Sequence, residues 1–259
     1  MNYMELAVII SKQDKAGMNI ASCLDEKRIK YYLQDKKSIY CENIDKRINA
    51  DMFIFATKHE SKAGVNSLSV HAPGNFGKAE LGGKDKQLCV APAAYLKKAM
   101  IELEKRKLEG FEVEIEQTHH GPYLEKPCMF IEIGSNEKAW LDKKAGNVIA
   151  DVIEVLLNWK RVKYQTVSVL GGGHYNHVAK KILLKTDFAV NHICAKHLLK
   201  FLNKYIINQV VNKSTMKSEK IILDWKGLGK DKCKVIKLLN ESNLKYERSK
   251  DFLKHSLNS

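Results

Sequence analysis

Imidazoles are the side chains best suited to bind a metal or move a proton near neutral pH, and this chain carries nine. Several stand beside glycine or proline. His71 opens His71-Ala72-Pro73-Gly74-Asn75, His119 and His120 lie in Thr118-His119-His120-Gly121-Pro122, and His174 follows a glycine run in Gly171-Gly172-Gly173-His174-Tyr175. His59 and the pair Asn191-His192 add to the set. A lone histidine is more often a surface or satisfied core residue, but several brought to one edge mark a site. No His-Glu-x-x-His is present, so a metal would take ligands scattered in sequence, such as His71, His119, His120 and His174. Neighbours on an extended strand point to opposite faces, so His119 and His120 have different roles unless the backbone turns there.

Other residues refine the chemistry. Three successive glycines exceed what one tight turn needs, and their amides could cradle a phosphate or stabilise an oxyanion. The Lys and Ser/Thr of a Walker loop are missing, which disfavours ATP chemistry, and the absence of Gly-x-Ser-x-Gly disfavours a serine esterase. Ser214-x-x-Lys217 sits in a polar stretch and reads as chance. In the run 111–116, Glu112 and Glu114 read as the solvent-facing side of a strand. Glu116, next to the histidine pair, reads equally as such a residue or as a carboxylate that orients an imidazole.

These residues need a scaffold. Strand-like runs occur at Leu6–Ile10, Met52–Ala56, Ser67–Val70, Phe111–Glu116, Met129–Ile133, Thr166–Leu170 and Asp187–Val190. Helical periodicity spans Ala91 to Arg106, Asn147 to Trp159, Cys194 to Ile207 and Lys230 to Leu239. The alternation predicts an α/β fold: three layers, a mainly parallel or mixed central sheet, and helices on both faces. One domain is expected over residues 1–259, with 210–220 an exposed loop before a C-terminal αβ unit. If the strands are parallel, most of the histidines gather beyond their carboxyl ends, where ligands bind in such sheets.

Composition sets the outer limits. Hydrophobic residues make up 44% and charged residues 29%, as in a globular protein, and no apolar run approaches the length of a membrane span. Residues Met1 to Ser11 lack the order of a signal peptide and read as a first buried strand. Six scattered cysteines without a Cys-x-x-Cys pair suit a reducing compartment, so a cytoplasmic protein is expected. The net charge of +14 suits a polyanionic partner. Only five of the 44 basic residues are Arg, however, and a lysine-rich solvated surface gives the same excess.

The motifs at His71, Thr118 and Gly171, with Leu81-Gly-Gly, Ile131-Glu-Ile-Gly-Ser, Trp140, Asn191-His192, His197 and Lys226-Gly-Leu, together resemble the archaeal and plant type of D-aminoacyl-tRNA deacylase. The resemblance runs from about Asp14 to the C-terminal segment. It implies hydrolysis of D-aminoacyl esters on tRNA as chirality proofreading, a zinc requirement, and a three-layer fold similar to peptidyl-tRNA hydrolase and phosphorylase-like proteins. One departure is Gly17, where a serine is expected in Asp14-Lys15-Ala16-Gly17-Met18-Asn19-Ile20. Given that chemistry, His71, His119 and His174 are the candidates for the metal or its water. His120 is the candidate base, with Glu116 behind it and His192 as a further catalytic candidate. Gly171, Gly172, Gly173, Tyr175 and Asn75 are candidates for substrate binding. A monomer acting on tRNA without a membrane is expected. The competing readings are a peptidyl-tRNA-hydrolase- or phosphorylase-like enzyme and a non-catalytic tRNA-binding module, although the dispersed tyrosines do not form the aromatic face the last requires.

Overall fold

The structure, a computed structural model, describes residues 4–61, 64–160 and 162–257. Met1 to Tyr3, the start of the expected first strand, lie outside the described residues. The first half alternates β1 (Leu6–Ser11), α1 (Lys15–Glu26), β2 (Tyr32–Gln34), β3 (Met52–Lys58), β4 (Ser67–His71), α2 (Ala93–Lys105), β5 (Glu112–Ile115) and β6 (Cys128–Gly134). Then come α3 (Glu137–Trp140), α4 (Lys143–Leu157), β7 (Thr166–Leu170), α5 (His177–Lys185), β8 (Ala189–Cys194) and α6 (Lys204–Asn212). The chain closes with β9 (Lys220–Leu223), α7 (Lys232–Glu241), β10 (Tyr246–Arg248) and α8 (Ser249–Ser256). Among the described residues, no helix is long and apolar enough to cross a membrane.

The α/β class holds, but the strands divide between two sheets. One is six-stranded, in the order β2-β1-β3-β6-β4-β5, and the other is four-stranded, β10-β9-β7-β8, and parallel throughout. In the first sheet β4 runs antiparallel to β6, and β5 follows β4. The expectation of one common rim at parallel carboxyl ends therefore fails for the first sheet. What gathers the site there is a face.

Strand alternation makes that face. Ile54, Ile131, Ile133, Leu68, Val70 and Val113 point into the core shared with α1, α2 and α4. Their neighbours in sequence point the other way. At one end of that opposite face lie Phe53, Phe55 and Phe130, with Phe55 and Phe130 stacked 4.8 Å apart. Beside them lie His71, Glu132 and Glu116, brought abreast by the pairs His71↔Phe130 and Ser69↔Glu132. The second sheet's β7–α5 connection and α5 itself cover this polar patch: Tyr175 bonds Ser67 at 3.0 Å, and Lys180 on α5 pairs with Glu114 at 3.2 Å. Glu114 is consequently buried, contrary to the solvent-facing reading, while Glu112 is exposed.

Local chemistry accounts for the element ends. Asp14, Asn136, Asp142, Asn176 and Asn203 each cap a helix by accepting a hydrogen bond from a first-turn amide. The cap at Asn203 explains why a single helix from Cys194 to Ile207 does not form. Cys194 ends buried β8, a 3-10 turn covers Lys196–Phe201, and Asn203 restarts the chain as α6. Residues 210–212 complete α6, with Val210 and Val211 buried, so the expected loop shrinks to 213–219. That loop is tied down rather than free, because Lys213 O accepts from the Ala91 amide and Thr215 N donates to Ala91 O. At Gly17, a Cβ would come within 3.0 Å of Ala56 O, so this chain's tight α1–β3 contact suits glycine.

One buried cation holds the two halves together. Lys97, on α2, is 3% exposed and donates to Leu183 O, Thr186 O and Phe188 O at the end of α5. Lys97→Met keeps the aliphatic stem but strands three carbonyls. The expected cost is about 1.5–3 kcal/mol, the range for hydrogen bonds to a charged group. It should appear as a lower urea midpoint with unchanged slope; an unchanged midpoint would show that water takes over these carbonyls.

Candidate active site

Five histidines and two glutamates converge on the polar face. His59 follows β3, His71 ends β4, Glu116 follows β5, Glu132 lies within β6, and His119, His120 and His174 arrive on loops. His71 sits with its ring 4.3 Å from His119, 4.8 Å from His120 and 5.0 Å from Phe130. Three overlapping sets can each bring their donor atoms within 4.8 Å of one another: His71, His119 and His120; His59, Glu116 and His174; and His71, Glu116 and Glu132.

His119 and His120 share one side because the backbone turns between strand and loop. β5 ends at Ile115, and His120 has φ 43°, in the left-handed region that non-glycine residues seldom occupy. Their rings therefore meet at 4.2 Å instead of pointing apart.

Glu116 is the hinge of the arrangement. Its side chain is wholly buried, and Oε2 accepts from His119 Nε2 at 3.0 Å and from His174 Nε2 at 2.8 Å. His59 Nδ1 lies 3.2 Å from Oε1 and 3.4 Å from Glu132 Oε2. Burial opposes charge on Glu116, but the imidazoles around it win and hold its carboxyl well below the usual range. Glu132 behaves likewise: burial and Glu116 oppose its charge, and His59 and His71 outweigh them.

The imidazoles are split by this field. Burial works against a charged His59, yet Glu116 and Glu132 outweigh it and lift the ring to about 10. For His71, too, burial lowers and Glu132 raises, and the net direction is up. Burial, with His120 and His71 alongside, pushes His119 well down. Burial and then His71 take His120 down to about 4, leaving it neutral at pH 7. Its Nδ1 lies 2.7 Å from Gly121 O, so the proton belongs there and Nε2 presents a lone pair.

Among the described residues, His59 Nε2 and His71 Nε2 are buried without a hydrogen-bond partner, and Glu116 Oε1 has only its contact with His59 Nδ1 at 3.2 Å. An unpartnered buried imidazole nitrogen costs about 1–3 kcal/mol in isolation, which is unfavourable unless something else engages it. Imidazole and carboxylate donors around a common point are what a zinc ion takes.

The remaining sequence candidates fall at different distances from this chemistry. His192 lies inside β8, not beyond it, and is fully buried, with Nδ1 3.1 Å from Thr118 Oγ1 and Nε2 2.7 Å from Lys213 O. Both nitrogens are engaged, burial lowers it to about 4, and it tethers the 118–120 turn without joining the cluster. Tyr175 walls the site, its ring 5.4 Å from His174. Asn75 is buried and donates to Gly82 O, fixing the 77–88 loop over a cleft of about 480 Å³ that His119 and His120 also line. Gly171 and Gly172 have positive φ, whereas Gly173 does not.

Sequence reasoning assigned no role to His59 or to Glu132, although the latter stands in Ile131-Glu-Ile-Gly-Ser. The signal for Glu132 was present: a charged residue inside Met129–Ile133, in a strand buried on both faces, is rarely there unless paired.

Residues 46–247 match the family model described as D-aminoacyl-tRNA deacylase. The D-aminoacyl-tRNA deacylase of Pyrococcus furiosus is 33% identical over 92% of this chain and 98% of its own length. That of Methanocaldococcus jannaschii is 32% identical over 95% and 100%. A crystal structure of a conserved protein of unknown function superposes with a TM-score of 0.90 at 28% identity, covering 98% of both chains.

Proposed function

Since the chain belongs to the D-aminoacyl-tRNA deacylase family, its reaction is hydrolysis of the ester joining a D-amino acid to tRNA, a proofreading step, and we propose that the histidine–glutamate cluster carries it out with zinc as cofactor. The observation behind this reading is that ligand atoms of His71, His119 and His120 lie within 4.8 Å of one another, with His71 Nε2 buried and without a hydrogen-bond partner among the described residues. His71, His119 and His120 would hold the ion, with Glu116 orienting His119 from behind. Zinc bound there would bring the pKa of a coordinated water to about 7 and polarise the ester carbonyl.

The chain's own groups do the rest. His174, with its side chain 38% exposed, donates from Nε2 to Glu116, and its Nδ1 faces the Gln117 side-chain amide at 3.1 Å, a contact a substrate water would have to replace. An imidazole held by a buried carboxylate can accept a proton from water and return it to the leaving ribose hydroxyl. His174 and His120 thereby exchange the roles expected from sequence: His120 fits the ligand set, and His174 fits proton transfer. The 480 Å³ cleft beside His119 and His120, with Phe76 and Phe201 in its wall, would receive the 3′ end of the substrate.

Removing and restoring the metal tests this directly. Chelation should abolish deacylation of D-aminoacyl-tRNA, and stoichiometric zinc should restore it. His71→Ala and His119→Ala should lower bound zinc and turnover together. Full activity of the chelated protein, or of both variants in chelator, would exclude a zinc centre at these residues.

A further inference from the structure

The second sheet carries a cleft that the cluster does not use. Three loops form it, each leaving the carboxyl end of a parallel strand: Gly172 and Gly173 after β7, Lys196 to Lys200 after β8, and Lys230 and Asp231 after β9. The cleft measures about 720 Å³.

Its position in the topology is distinctive. From β7 the chain crosses to β8 on one side, and from β9 it crosses to β10 on the other, while β7 and β9 are neighbours. The order therefore reverses between β7 and β9, and the crevice beyond their carboxyl ends is where open α/β sheets bind ligands. The loops are built to meet there. A Cβ on Gly227 would stand 2.3 Å from the Gly172 amide nitrogen, so only glycine lets the β9 loop reach the β7 loop.

Its charge is one-sided. Lys196, Lys200 and Lys230 line it against a single carboxylate, Asp231, and none of the three lysines makes an ion pair among the described residues. Lys196 reaches across the opening, its stem lying against Gly229 of the facing loop. Some lysines elsewhere find carboxylates, as Lys12 does with Asp35, and many among the described residues do not; what sets these three apart is their grouping on loops around one crevice. His197 and Lys200 also line the cleft that holds His119 and His120, so the two clefts adjoin.

We propose that this lysine cleft binds backbone phosphates of the substrate's single-stranded 3′ end while the ester lies at the histidine cluster. The proposal rests on the deacylase reading for the identity of the polynucleotide. Unpaired ammonium groups at a switch-point crevice suit phosphodiesters, and glycines that leave the backbone bare let the strand approach closely.

The test is a triple variant, Lys196→Gln, Lys200→Gln and Lys230→Gln. Its control is Lys160→Gln, Lys163→Gln and Lys185→Gln, which removes equal charge before the amino ends of β7 and β8. Binding of uncharged, fluorescently labelled tRNA is followed by anisotropy across a salt series. The cleft variant should bind about tenfold more weakly, with a log–log salt slope shallower by roughly 0.7 per lysine, and the control should change far less. For turnover, the loss on D-aminoacyl-tRNA should exceed by at least fivefold the loss on a D-aminoacyl-adenosine ester that lacks phosphate. Equal effects of the two triple variants on tRNA binding, or equal losses on the two substrates, overturn the proposal. Because uncharged tRNA is bound without turnover, a wild type inactive on both esters would refute the deacylase chemistry and leave the phosphate cleft to be judged by anisotropy.

Discussion

Glu116→Gln should be the most damaging single substitution in the site, because Glu116 belongs to two of the three donor sets and bonds both His119 and His174. The amide preserves volume but removes the charge that offsets the imidazoles, and with it one of the two carboxylates that hold His59 up at about 10. The size and pattern of the loss decide what Glu116 does. A fall of about 10- to 100-fold that follows zinc content and recovers in excess zinc identifies a carboxylate that positions ligands. A fall in kcat of about 10²–10⁴ with zinc fully bound identifies a partner in proton transfer through His174. Zinc content by mass spectrometry and kcat on D-aminoacyl-tRNA, measured on one preparation, separate the two. Turnover within twofold of wild type would show that neither description holds.

Much of this site was visible in the sequence because glycine and histidine carry strong local signals. His71, His119, His120 and His174 stood out by their glycine-rich surroundings, and the structure brings all four together. The reason given by the strand pattern was nonetheless incomplete. A single chain does not reveal strand direction, and the reversal of β4 and β5 moves the meeting point from a rim to a face. That face was partly legible as alternation: Ser67, Ser69, His71 on β4 and Glu112, Glu114 with Glu116 on β5. Reading Glu112 and Glu114 as solvent-facing followed from their polarity alone, and it held for Glu112 but not for Glu114. What buries the face is the second sheet's β7–α5 connection and α5 itself, contacts distant in the chain that local pattern does not encode.

His192 and Glu132 show the same limit from opposite sides. His192 was drawn into the site by its neighbours in sequence, yet β8 extends to Cys194 and turns the ring inward to Thr118 and Lys213. Glu132 stood in the motif Ile131-Glu-Ile-Gly-Ser, and its lone charge in an interior strand marked it, but neither gave it a role. A buried charge marks its own segment but does not name its partner. The partner, His59 or His71, is supplied by tertiary structure.

The glycine run Gly171-Gly172-Gly173 now separates into two predictions. Gly172 has φ +85°, and a Cβ there would stand 2.7 Å from Asn176 Nδ2, which itself donates to Gly171 O and whose side-chain oxygen caps α5. Gly171, at φ +102°, would press a Cβ to 2.9 Å from Asp224 O. Gly171→Ala and Gly172→Ala should each lose about 1–3 kcal/mol for the backbone conformation alone. For a chain of this size that corresponds to a drop of roughly 2–12 °C in Tm, with further loss where the cap at Asn176 is disturbed. Gly173 is different: its φ is not positive, and the nearest atom to an added methyl is Tyr175 O at 3.6 Å. Gly173→Ala should therefore melt within a degree or two of wild type, or slightly above it. It also lines the lysine cleft, so the methyl projects into the space assigned to the polynucleotide. The expected pairing for Gly173→Ala is an unchanged Tm with a severalfold rise in KM for D-aminoacyl-tRNA. A stable variant with unchanged KM would mean that the third glycine meets no substrate, and that the run is glycine only where two positive-φ residues shape the turn into α5.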